Sequence, residues 1–266
     1  MTGGEVHGVE LRGGRTAFRV AGPADAPALV LVHGLQIGQT LFDPLRRHLA
    51  PAFQVITYDQ RDCGGSAYPP AGYGTDDLAD DLAALVTALG HPRVHVLGTS
   101  FGGMVAQAFA LRHPALLDRL VLGATSQAPF RPGRVTGPVA DLLAALGTGD
   151  AGRAAALLAR MAPATKAATA GAGDDGAAAA RSAALVRRFA ATRGFDTRGA
   201  LGGVAAPVLV VHGRDDATVP VEDVLAMTAE LPDADLLLLA GAGHAWENEV
   251  PARAAAHLTA FLRAEG

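Results

Sequence analysis

Six short aliphatic runs recur along the chain: ALVLVH (28–33), FQVITYD (53–59), RVHVLG (93–98), DRLVLGA (118–124), APVLVVHG (206–213) and ADLLLLAG (234–241). A continuous apolar run with no polar alternation suits a strand covered on both faces, the environment inside a parallel sheet. Helical patterns lie between the runs. TDDLADDLAALVTALG (75–90) puts leucines 78, 82, 85 and 89 on one stripe, behind an Asp-rich first turn and before a glycine. FGGMVAQAFALRHP (101–114) reads as a helix stopped by Pro114, and VEDVLAMTAELP (221–232) and PARAAAHLTAFLRAEG (251–266) complete the set. At the start, EVHGVELR and RTAFRV alternate in polarity around Gly13-Gly14 and read as a hairpin, bringing the expected strands to eight. Alternating strands and helices imply a mostly parallel sheet with right-handed crossovers and helices on both faces, an α/β fold.

The rhythm breaks over residues 127–203. That stretch holds helical candidates such as PVADLLAALG, AGRAAALLARMAP and DGAAAARSAALVRRFAATRGF, with a Gly-rich 171–176 and no strand pattern. The expected organisation is therefore a core of residues 1–126 and 204–266 with a small helical cap, 127–203, inserted after the sixth strand. A hydrophobic content of 50% in 266 residues is ample for a packed core. Net charge is −4 with both signs interspersed, so no basic patch points to nucleic acid and no polybasic segment to a membrane surface. The single cysteine, Cys63, rules out an intrachain disulfide and makes a reducing, cytoplasmic location the expectation. No run reaches membrane-spanning length and the N-terminus lacks a signal peptide pattern, so the expected partner is a small-molecule substrate.

In open α/β sheets, ligands sit beyond the carboxyl ends of the strands, so the informative residues follow each run. Read in order, those positions hold His33-Gly34-Leu35-Gln36, Asp59-Gln60-Arg61-Asp62, Gly98-Thr99-Ser100-Phe101-Gly102, Gly213-Arg214-Asp215-Asp216 and Gly241-Ala242-Gly243-His244. Ser100, one of four serines, lies in G-x-S-x-G between a strand and a helix, the setting of a nucleophile elbow. A hydroxyl attacks at neutral pH only if a base takes its proton, and His244, on a Gly-rich loop, is the candidate. His33, His91, His113, His212 and His257 sit in strands or on helices and read as structural. The histidine needs an anion to hold its tautomer; of the adjacent pair Asp215 and Asp216, the choice is Asp216. The oxyanion formed on attack needs two donors, expected from the N–H groups of Phe101 and Leu35, with Gln36 as the neighbouring alternative. Gln36, Phe101, Met104, Phe130 and Trp246, together with Phe189, are candidates for the pocket lining. The expectation includes neither a metal nor a cofactor.

The motifs together resemble the α/β-hydrolase fold superfamily over nearly the whole chain. VLVHGL resembles its oxyanion loop, YDQRDCGGS its D-x-R-G-x-G-x-S segment, VLGTSFGGMVAQ its elbow, VLVVHGRDDATVP its acid-bearing strand end and GAGHAWENEVP its histidine loop. Within the superfamily the chain looks like small carboxylesterases and 3-oxoadipate enol-lactonases. The resemblance implies cleavage of a small ester or lactone through an acyl-enzyme on Ser100. Proline iminopeptidase-like cleavage, a lyase, cyclase or isomerase reaction, and ligand binding without turnover are the alternatives. A peptidase would need acidic cap residues, for which Asp174-Asp175 is the one adjacent pair on view, while Arg131 and Arg134 are candidates for a substrate carboxylate. Asp62 departs from the superfamily, which commonly has glycine there; the residue either serves the turn, as Asp can, or carries a hydrogen bond at the pocket mouth. Cys63 reads as filler, with no histidine placed to activate it.

Overall fold

The computed structural model describes residues 5–35, 38–69, 71–128, 137–161 and 175–264. Eight strands form one sheet: β1 (His7–Leu11), β2 (Gly14–Ala21), β3 (Ala28–Val32), β4 (Gln54–Tyr58), β5 (Val94–Thr99), β6 (Leu117–Gly123), β7 (Val208–Gly213) and β8 (Ala234–Leu239). Their spatial order is β1-β2-β4-β3-β5-β6-β7-β8. β1 to β2 and β2 to β4 are antiparallel, and every later pairing is parallel. Strand β3 lies between β4 and β5, so the chain runs outward from β3 to β4 and then crosses back to β5. This reversal opens a crevice beyond the carboxyl ends of β3 and β5, the topological switch point where such sheets bind ligands.

The apolar runs are continuous because their side chains alternate between two covered faces. Val30, Val32, Val96, Leu120 and Leu122 pack on one side against α2 (Thr75–Ala88), α3 (Phe101–Arg112) and α7 (Val221–Glu230). Leu29, Leu31, Leu97, Val121 and Val211 pack on the other against α1 (Asp43–Leu49) and α9 (Pro251–Leu262). Leu29, Leu31 and Leu97 are fully buried, and each contributes about 1.5–3 kcal/mol of hydrophobic stabilisation. Helix α3 is buried on every side from Phe101 to Ala110, since α2 covers the flank that the sheet does not.

Between β6 and β7 stand α4 (Gly137–Thr148), α5 (Ala151–Met161) and α6 (Asp175–Ala190), with no strand among their described residues. They share a small core of their own, built on Leu142, Leu146, Ala154 and Leu185, and Leu35 of the loop after β3 packs against it. Two short helices add to the sequence expectation: α1 and α8 (Trp246–Glu249). A seven-residue helix starting Asp-Pro shows too few turns for its periodicity to be read in advance.

Candidate active site

Strand β5 ends at Thr99 and α3 begins at Phe101, leaving Ser100 as the whole turn. Its backbone sits at φ 54°, ψ −120°, a conformation that costs a non-glycine residue about 1–3 kcal/mol. The surroundings hold it there: Ser100 N–H donates to Gly123 O at 2.8 Å, and Ser100 O accepts from the Thr125 hydroxyl at 2.8 Å and Gly103 N–H at 2.9 Å. The turn also needs bare backbone. A Cβ on Gly98 would lie 2.7 Å from the Ala106 methyl, and one on Gly102 would lie 2.6 Å from His33 O and closer still to Val32 O.

The structure brings Ser100, His244 and Asp216 into one hydrogen-bonded line, although 144 and 28 residues separate the two pairs in sequence. Ser100 Oγ and His244 Nε2 are 3.1 Å apart, and His244 Nδ1 and Asp216 Oδ2 are 2.9 Å apart. The other carboxylate oxygen, Asp216 Oδ1, accepts from Thr218 N–H at 2.7 Å and Val219 N–H at 3.0 Å, which fixes the carboxylate plane. Burial pushes the Asp216 pKa up, but the His244 hydrogen bond and charge and these two amides outweigh it, leaving the carboxyl below its ordinary value. Burial likewise pushes His244 down, and the hydrogen bond and charge of Asp216 carry it above 6.5. Asp215 is exposed. His212, also buried, lies 3.7 Å from Asp216 Oδ2, and burial holds its pKa below the ordinary imidazole value against the Asp216 charge. Glu249 braces the histidine loop by accepting from Gly243 N–H.

Beside Ser100 runs the loop His33-Gly34-Leu35, where a Cβ on Gly34 would stand 3.6 Å from Ser100 Cβ. Among the described residues, neither Leu35 N–H nor Phe101 N–H is seen to donate to an acceptor. His33 ties this loop down. Its Nδ1 bonds Gly34 O at 2.8 Å and its Nε2 accepts from Gln60 N–H at 3.1 Å, which fixes the tautomer. Burial, aided by the Arg188 charge, pushes its pKa down to about 3. His33, Asp59 and Cys63 have ligand atoms within 4.8 Å of one another. Both His33 nitrogens are committed, and Asp59 accepts from Gln39 N–H, Gln39 Nε2 and Gly65 N–H, so this donor set is a hydrogen-bonded brace and a poor metal cradle. The Cys63 thiol is pushed up to about 11, mainly by burial, which leaves it unreactive.

Three pocket-lining candidates, Phe101, Met104 and Trp246, have fully buried side chains. Met104 is fully buried in the core between α3 and the sheet, one turn past the elbow and facing inward. Trp246 is also fully buried, packed in the core on the opposite face of the sheet, where its indole covers Gly123. In both cases closeness in sequence to Ser100 or His244 concealed a side chain turned away from solvent. Phe189 packs on the small core of the helical insert. Gln36, Phe130, Arg131, Arg134 and Asp174 lie outside the described residues.

Asp62 combines a turn conformation with a buried, bonded carboxylate. Its φ of 60° suits the glycine that the superfamily commonly has there, and its carboxylate is a fully buried anchor. Arg187 of α6 grips it with Nη2 at 2.6 Å and Nε at 2.9 Å, and the Tyr73 hydroxyl donates to it at 2.9 Å. Arg187 and Arg188, which tie the insert to the loops after β3 and β4, went unrecognised in the sequence. Their one signal is an Arg-Arg pair amid apolar Leu185, Val186 and Phe189.

Residues 27–245 match the family described as alpha/beta hydrolase fold. The RutD protein of Agrobacterium fabrum, provisionally named a carbamate hydrolase, is 35% identical over 231 residues, spanning 84% of this chain and 87% of its own. A solved hydrolase from Pseudomonas aeruginosa PA01 superposes with a TM-score of 0.79 at 29% identity, covering 99% of this chain and 100% of that one. The enol-lactonase of Burkholderia xenovorans LB400 also superposes at 0.79, over 97% and 100% of the two chains, and at 21% identity this is a likeness of fold. With the elbow, the parallel sheet and the matched span in agreement, the chain belongs to the alpha/beta hydrolase fold family and is a hydrolase.

Proposed function

We propose that this hydrolase cleaves a small carboxylic ester or lactone through an acyl-enzyme on Ser100, with no cofactor. The observation that carries the reading is the Ser100, His244, Asp216 line at 3.1 and 2.9 Å, set on an elbow whose φ is positive. Ser100 Oγ bonds to the substrate carbonyl carbon as its proton passes to His244 Nε2. Asp216, accepting from Nδ1–H, stabilises the imidazolium. The carbonyl oxygen becomes an oxyanion held by the N–H of Leu35, on the loop after β3, and the N–H of Phe101, at the start of α3, where the helix dipole adds favourable field. The bond to the leaving oxygen then breaks as His244 returns the proton to it. Water, deprotonated by His244, releases the acid by the same steps in reverse. In this reading the insert within 127–203 is the cap that shapes the acyl pocket above the core of 1–126 and 204–266.

The names of the RutD relatives favour a second substrate class, a carbamate, whose trigonal carbonyl suits the same machinery. The test combines labelling and turnover. A fluorophosphonate should label Ser100 alone, and Ser100→Ala should lower kcat by at least roughly 10⁴-fold on the preferred substrate while the fold persists. p-Nitrophenyl esters of increasing chain length, simple lactones and a p-nitrophenyl carbamate, assayed side by side, separate the substrate classes. Retained turnover in Ser100→Ala would overturn the covalent mechanism.

A further inference from the structure

We infer that Arg188, from helix α6 of the insert, is a positioning residue for the oxyanion hole; this rests on the acyl-enzyme reading above. Its side chain is 1% exposed and spans the gap between the insert and the loop beside Ser100. Arg188 Nε donates to Leu35 O at 3.0 Å, Nη2 to Gly34 O at 3.1 Å and Nη1 to Arg61 O at 2.9 Å, and the guanidinium lies over the Phe101 ring, 5.1 Å from its centroid. Among the described residues no carboxylate pairs with it. A buried cation held by carbonyl dipoles and an aromatic face is an expensive way to join a helix to a core, since burial penalises charge that lacks a counter-ion.

What that arrangement accomplishes follows from peptide geometry. In a trans unit, a carbonyl and the following N–H point in opposite directions, and the chain has no cis bonds among its described residues. Gly34 O takes Arg188 on one side and His33 Nδ1 on the other, which occupies both lone pairs and locks the plane carrying Leu35 N–H. Leu35 O, held by Nε, locks the next plane in the same way. A charge-assisted bond at the carbonyl polarises its peptide unit and strengthens the N–H at the far end as a donor. The ring beneath the guanidinium belongs to Phe101, the other proposed donor. Arg188 thus links the seating of the insert to the alignment of both donors, and it adds fixed positive potential next to the developing oxyanion.

The test compares p-nitrophenyl acetate with its thionoester, in which sulfur replaces the carbonyl oxygen. An aligned pair of N–H donors serves O⁻ far better than the larger S⁻, so the intact enzyme should favour the oxygen ester strongly. Arg188→Met should lower kcat on the oxygen ester by about 10²–10³-fold, the range for losing one oxyanion donor, leave KM nearly unchanged and collapse the oxygen-to-sulfur preference. Arg188→Lys, which keeps the charge but reaches fewer carbonyls, should fall between and supplies the reading if the methionine variant does not fold. Arg187→Ala breaks the neighbouring tie to Asp62 and should keep the wild-type preference. A loss of kcat with the preference intact, or an equal loss in Arg187→Ala, would show that Arg188 merely anchors the helix and would overturn the inference. Absence of fluorophosphonate labelling of Ser100 in the wild-type enzyme would instead overturn the acyl-enzyme reading and this inference with it.

Discussion

Glu247 of α8 is buried, at 2% exposure, and its Oε2 has no hydrogen-bond partner among the described residues. Burial pushes its carboxyl up to about 7, against the opposing pull of its own N–H and of His244. Between 4.5, the ordinary value, and about 7, the folded protein therefore binds a proton that the unfolded chain has released, so stability contributed by this group falls as pH rises through that window. At ~1.4 kcal/mol per pH unit, the gap amounts to about 3 kcal/mol of destabilisation at pH 8 relative to pH 4. Glu247→Gln keeps the shape and removes the titration. The measurement is urea unfolding of both proteins from pH 4.5 to 8. Glutamine brings its own buried amide, which shifts the variant's stability by a similar amount at every pH, so the informative quantity is the change in ΔΔG across the range. The variant should gain up to about 3 kcal/mol on the wild type between pH 4.5 and pH 8, which is ~6 °C or more in Tm at this chain length. Parallel pH dependences would refute the reasoning, because they would mean that Glu247 has an ordinary carboxyl and reaches solvent.

The raised pKa of His244 predicts that kcat/KM falls as pH drops through a value above 6.5, since Nε2 must be unprotonated to accept the serine proton. Asp216→Asn should lower kcat by roughly 10⁴-fold and move the acid limb of the residual activity below the ordinary imidazole range, because burial then acts without the opposing carboxylate; a pH–rate profile of both proteins checks it. Gly102→Ala places a methyl against Val32 O and His33 O, both backbone and neither able to move aside, so it should cost at least about 1–3 kcal/mol and displace the elbow. Soluble yield and thermal melting read that loss, and a variant as stable and active as wild type would contradict the close approach of α3 to β3.

Elements with purely local signals were legible in the chain. The six aliphatic runs became β3 to β8, because a strand covered on both faces has to be apolar at every position. Helix α2 declared itself through its leucine stripe, and the Ser100 turn through the glycines on either side. Side-chain direction was less legible. Met104 and Trp246 stand within four residues of Ser100 and His244, yet one turns into the α3 face of the sheet and the other into the opposite core. Asp62 looked like a turn residue, and its partner Arg187 is 125 positions away.

By itself, then, the sequence determined the strand and helix succession, the sharp turn at Ser100 and the order in which serine, aspartate and histidine follow their strands, since each depends on the covalent limits and burial of neighbouring residues. The sequence favoured Asp216 over Asp215, and only the tertiary structure closes the contact, with His244 Nδ1 and Asp216 Oδ2 2.9 Å apart. It alone set Arg187 and Arg188 of a distant helix on Asp62 and on the carbonyls of Gly34 and Leu35. Those choices rest on the direction of a side chain and on contacts closed across more than a hundred residues, and such contacts exist only once the sheet has brought the loops at its carboxyl end together.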